Sequence, residues 1–104
     1  VNEVLAFGLR GNTMLSTDLG RSWTMVANEG GTTLNNGSVA DDGRVTLVGN
    51  SGAVLVSSNG GESFRAHFRN DREGVMGVVP LSGTNLLLVG EGGVMITDSR
   101  GRDL

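Results

Sequence analysis

The chain has no cysteine, no tyrosine and no lysine, and among its 104 residues there are only one proline, one histidine and four aromatics. Without cysteine there are no disulfides, thiolate metal ligands or thiol nucleophiles, an absence that is neutral about compartment. A lone histidine, His67, excludes a zinc centre built on several imidazoles. No apolar run approaches the roughly 20 residues of a membrane-spanning helix; the longest, Val75 to Leu81 and Leu86 to Val89, have the length of strands. All eight positive charges are arginines, and a net charge of −3 with a pI of about 4.9 speaks against nucleic acid as a partner. The chain opens on Val1 rather than methionine, the pattern of a sequence whose preceding residues, a signal peptide among the candidates, have been removed.

What is abundant is glycine, eighteen residues of it, with 38% hydrophobic residues to form one modest core. That balance fits short strands joined by tight turns better than long helices. Strand-like stretches of about four to seven residues between turn signals predict ten strands: Glu3 to Phe7, Thr13 to Thr17, Ser22 to Val26, Leu34 to Ala40, Arg44 to Val48, Ala53 to Ser57, Ser63 to Phe68, Val75 to Leu81, Asn85 to Val89 and Val94 to Thr97. Asp42-Gly43 supplies the positive φ of a two-residue hairpin, with Gly11, Gly52 and Gly92-Gly93 acting alike in each unit.

The chain repeats itself. Ser16-Thr17-Asp18-Leu19-Gly20-Arg21-Ser22-Trp23 recurs 41 residues later as Ser57-Ser58-Asn59-Gly60-Gly61-Glu62-Ser63-Phe64, and Gly8 and Gly11 map onto Gly49 and Gly52 and then onto Gly90 and Gly93. A third copy, Thr97 to Leu104, fits only after a one-residue shift. Strand-built units of about 40 residues are propeller blades. The expected architecture is therefore all-β, with antiparallel four-stranded blades of a β-propeller. Residues 1–104 form one segment with units at about 1–40, 41–81 and, in part, 82–104. Ten strands at four per blade give about two and a half blades, short of the roughly four to eight of a closed ring. Closure then needs further blades in a longer parent chain or a homo-oligomer in which copies complete one another.

In the repeated box, Asp18 and Asn59 suit Asx-type turns, Gly20 and Gly61 suit left-handed backbone, Ser16 and Ser57 add local bonds, and Trp23 and Phe64 cover the corner. These are roles in folding. Ser-x-Asp-x-Gly-x-x-Trp resembles the Asp-box (BNR) repeat family of sialidases, sortilin-type receptors and related β-propellers. Its texture is most similar to the photosystem II assembly and stability factor-like propellers, whose relatives are widespread in bacteria. The resemblance implies a non-enzymatic scaffold that binds other proteins, periplasmic, extracellular or membrane-peripheral, without cofactor or metal.

The competing reading is a fragment of a sialidase-like or other carbohydrate-active propeller, or of a sugar-binding one, with Trp23 as its aromatic platform. A sialidase needs a tyrosine nucleophile, as that family's chemistry implies, and the chain has none. Paired carboxylates of other glycoside hydrolases have candidates such as Asp41, Asp42, Asp71 and Glu73, which lie in turns where acids are ordinarily solvated. No catalytic constellation emerges. The remaining candidate surface is cationic: alternation from Phe64 to Arg69 sets Phe64, Ala66 and Phe68 on one face and Arg65, His67 and Arg69 on the other, with Arg72 just beyond. Such a stripe suits the carboxylates of a protein partner.

Overall fold

The computed structural model describes residues 2–104, and all ten expected strands are present in it: β1 (Val4–Phe7), β2 (Thr13–Ser16), β3 (Thr24–Met25), β4 (Leu34–Val39), β5 (Val45–Gly49), β6 (Ala53–Ser57), β7 (Arg65–Phe68), β8 (Val75–Pro80), β9 (Leu86–Gly90) and β10 (Gly93–Thr97). They form three antiparallel sheets in the orders β1-β2-β3, β4-β5-β6-β7 and β8-β9-β10. The grouping is three, four and three rather than two whole sheets and a half. Sheet and sequence unit are out of phase, since β4 lies at the end of one unit and its partners β5 to β7 in the next. Matched by their places in the repeat, β1 corresponds to β5 and β8 to β4, so the first sheet lacks a counterpart of β4 and the third a counterpart of β7.

The middle sheet is sandwiched. Its first face carries Leu34, Leu47, Ala53 and Leu55 against Leu5, Phe7, Leu15 and Val26 of the first sheet, and its second carries Val48 and Val54 against Val75, Val78, Leu86 and Leu88 of the third. Leu47, Val48, Val54 and Leu55 are essentially inaccessible. Each such side chain contributes on the order of 1.5–3 kcal/mol through burial. The strands β5 and β6 can read as nearly continuous apolar runs because both faces are covered. At the inner edge of the stack Asn35 Nδ2 donates to the Val75 carbonyl at 3.0 Å and Asn36 Nδ2 to that of Met76 at 3.3 Å, tying β4 to β8.

The turns differ from expectation in one respect. Between β4 and β5 the Gly43 amide donates to the Ala40 carbonyl and the Ala40 amide to that of Arg44, closing a three-residue loop with only Gly43 left-handed, at φ 88°. A two-residue hairpin, of type I′ or II′ alike, would need positive φ at its first central position, and Asp42 lacks it. At Gly49 and Gly90 the need for glycine is steric: a Cβ there would collide with the carbonyl oxygens of Thr33 and Gly74, in the same place one repeat apart.

Candidate partner-binding groove

The two box turns are closed by their own side chains. Ser16 Oγ accepts from the amides of Gly20 (2.7 Å) and Asp18 (3.3 Å) and donates to Asp18 Oδ1 (2.8 Å). Asp18 in turn accepts from the Ser22 amide at 2.9 Å and the Ser22 hydroxyl at 2.6 Å. The second turn repeats this with Ser57, Asn59, Gly61 and Ser63, and only the last bond reverses, Asn59 Nδ2 donating to Ser63 Oγ at 2.8 Å. The hydrogen bonds from Ser22, side chain and backbone, and from Ser16 hold the Asp18 carboxyl at about 2, below its usual 3.8. Phe64 is buried, whereas Trp23 stays 40% exposed with its indole N–H on the Gly20 carbonyl at 3.0 Å. Every polar atom of these turns that the bonds occupy faces the turn itself.

The third copy is a different turn. The β9–β10 connection, Glu91-Gly92, is one residue shorter than Asn50–Gly52 between β5 and β6, so Ser57 corresponds to Thr97 and Asn59 to Ser99, which is the shift seen in the sequence. Asp98 takes over as acceptor, from the amides of Arg100 (2.8 Å) and Arg102 (3.0 Å) and from Arg102 Nε (2.9 Å). Burial raises its carboxyl, but those bonds outweigh it and the net direction is downward.

That turn brings Arg100 and Arg102 beside β7, where Arg65 and His67 lie. Arg65, His67 and Arg100 line an open groove of about 640 Å³ together with Asn28 and Glu29 from the end of the first sheet, Val56, Ser63 and Phe64. Burial, then the charges of Arg100, Arg102 and Arg65, push the His67 imidazole below its usual value, so the ring is neutral at pH 7. Among the described residues Arg65 and Arg100 have no ion-pair partner, while Arg102 is held by Asp98. Two exposed guanidiniums beside a neutral ring, with a hydroxyl and an apolar floor, present bidentate donors suited to carboxylates.

The expected stripe is therefore corrected at Arg69, and Arg72 does not line this groove. Arg69 lies beyond the end of β7 and is buried; its guanidinium donates to the Gly101 carbonyl (2.8 Å), Asp103 (2.9 Å) and Asp71 (2.8 Å). The chain turns at Asn70–Arg72, so strand alternation no longer decides where Arg69 points, and it fastens the middle sheet to the third instead. Arg72 has left-handed backbone, φ 54°, and its guanidinium sits 4.9 Å from the centre of the Phe68 ring. Arg100 was missed as a member of the site because its position depends on the shortened Glu91-Gly92 hairpin. Its length was the available signal. Among the described residues there is no cluster of three or more histidine or carboxylate side chains placed to hold a metal, and no helix long and apolar enough to cross a membrane.

No family model matches the chain, and no curated protein matches it. Solved structures do. YCF48 from Cyanidioschyzon merolae is similar over 96% of this chain and 31% of its own, at 21% identity and a TM-score of 0.78. The structure of YCF48 bound to D1 peptide is similar over 97% of this chain and 34% of its own, at 14% identity and a TM-score of 0.63. The chain has the fold of a β-propeller segment. It spans about a third of the length of the structures it matches, and at these identities the likeness speaks to the fold alone.

Proposed function

We propose that this propeller segment is a non-catalytic scaffold of the Asp-box type whose groove at Arg65, His67 and Arg100 binds an acidic segment of a protein partner. The observation that carries the reading is the convergence of unpaired guanidiniums from the middle and third sheets on one open groove of an otherwise acidic chain. A rigid sheet stack can present such a groove without moving parts, cofactor or metal. The similar structure of YCF48 bound to D1 peptide supports a peptide as the kind of ligand. The box residues contribute by holding the turns that frame the groove, since Ser63 and Phe64 belong to both.

The experiment is titration of an extended acidic peptide, and of its amide-substituted neutral analogue, into the wild type and the Arg65→Ser/Arg100→Ser variant. The acidic peptide should bind with an affinity that falls as salt rises, and the double substitution should weaken it roughly tenfold or more and flatten the salt dependence. Unchanged affinity and unchanged salt dependence in the variant would remove the groove as the binding site. Arg69 is unsuited to this test because its loss acts on folding.

A further inference from the structure

Resting on the peptide-binding reading above, we infer that the acidic segment enters the groove as an added β-strand, paired with the free outer edge of β7 at Ala66. The Arg69 amide donates to the Gly52 carbonyl at 2.9 Å, and this fixes the phase of the β6–β7 ladder. Arg65 and His67, opposite Val56 and Val54, exchange bonds with β6, so Ala66 and Phe68 turn their amides and carbonyls away from it. β7 is the last strand of its sheet, and these outward groups have no other partner among the described residues. The middle sheet has four strands and a sheet of the same chain on each face, so the edge stands in surroundings that the chain itself supplies. Such edges are ordinarily blunted by shortness, proline or a bulge. The outer strand of the first sheet follows that rule, being only Thr24–Met25, whereas β7 pairs over Arg65–Phe68 in unbroken register and holds no proline.

Charge selects the occupant. The groove reaches from Asn28 and Glu29 on the first-sheet side to Ser99 and Arg100 on the third-sheet side, and β7 lies between them. Ala66 sits between the two β7 residues that line it, Arg65 and His67, whereas Phe68 does not border it, so the pairing centres on Ala66. Side chains of a strand alternate between its faces, and an added strand therefore presents every second residue to Arg65, His67 and Arg100. Acidic residues at those places meet the guanidiniums of Arg65 and Arg100, which have no ion-pair partner among the described residues. A second copy of β7 is disfavoured as the added strand because it brings more guanidiniums into the same groove. Main-chain bonds along the edge supply affinity, and the arginines select a partner segment that is acidic at alternate positions.

The probe is a short capped peptide alternating glutamate and threonine. It is titrated into the wild type beside a peptide of the same composition with its glutamates in one block, and beside two alternating peptides N-methylated at either the glutamate or the threonine amides. The block peptide should bind roughly tenfold or more weakly, since fewer of its carboxylates reach the arginines. One methylated peptide should lose roughly tenfold as well and the other should match the parent, because only alternate amides of an added strand face β7. On binding of the parent peptide the Ala66 amide should exchange with solvent roughly tenfold more slowly, while the amides of Arg65 and His67, already bonded to β6, stay unchanged. Equal binding by the two methylated peptides, or unchanged exchange at Ala66, would overturn strand addition. In that case an affinity still lost in Arg65→Ser/Arg100→Ser shows that the groove reading survives without it. No binding by any of these peptides would overturn both.

Discussion

Asp18 and Asn59 stand at the same point of two turns 41 residues apart, and each accepts, through Oδ1, the amide hydrogen of the serine four residues on, at 2.9 Å from Ser22 and 3.1 Å from Ser63. One is a carboxylate and the other an amide. The turn therefore needs an acceptor at this place rather than a charge, and the serine hydroxyl rotates to donate to the acid or accept from the amide.

That equivalence predicts the acid response. The Asp18 carboxyl is held at about 2 in the folded chain against 3.8 ordinarily, so the stability it contributes is complete above the ordinary value and is lost as the pH falls from there toward 2. Asp18→Asn should fold as the second turn does and show a weaker dependence on pH across that window. Urea unfolding of both proteins at pH 4 and pH 2 checks it; identical pH dependence would contradict it.

Leu19 is left-handed at φ 62°, exposed, and corresponds to Gly60 at φ 75° in the second turn. A side chain in that conformation is strained by about 1 kcal/mol. Leu19→Gly should stabilise the chain by about 0.5 kcal/mol net, the relief exceeding the added freedom of the unfolded backbone. Gly60→Ala should act in the opposite direction, and thermal unfolding of the pair measures both signs.

Gly49→Ala and Gly90→Ala should each destabilise by about 1–3 kcal/mol, because the new methyl meets a backbone carbonyl that cannot move without parting β4 from β5 or β8 from β9. Gly43→Ala meets nothing and carries only the cost of positive φ, so it should be the mildest of the three by chemical denaturation.

Arg69→Met should lower stability by about 2–3 kcal/mol, since it strands the Gly101 carbonyl and takes the ion-pair partner from Asp71 and Asp103 while keeping most of the buried volume. The figure sits at the low end for a buried pair because Asp103 remains largely in solvent. Hydrogen exchange should show the loss concentrated in residues 97–104, which Arg69 ties to the middle sheet.

The strands were legible in the sequence because short alternating or wholly apolar stretches lie between turn residues, and their bounds shift by no more than two residues at any end. The most shortened is β3, which hydrogen bonding confines to Thr24–Met25. Their grouping into sheets was not legible, because a repeat of 41 residues fixes the period and leaves the phase free. The box turns could be read because their bonds are local. Arg69 could not, since its three acceptors lie two, 32 and 34 residues away and alternation stops where β7 ends. The groove was half visible for the same reason, Arg65 and His67 on one strand and Arg100 arriving from another sheet.

The most direct measurement is a map of amide and imidazole chemical-shift changes on parallel titration with an acidic peptide and with a panel of oligosaccharides. The account predicts peptide-induced shifts confined to Asn28, Glu29, Ser63 to His67 and Ser99 to Arg100, with the Ser22, Trp23 and Asp18 signals unmoved by either ligand. Saturable oligosaccharide shifts centred on Trp23 and Asp18, with the Arg65, His67 and Arg100 signals silent toward the peptide, would contradict it.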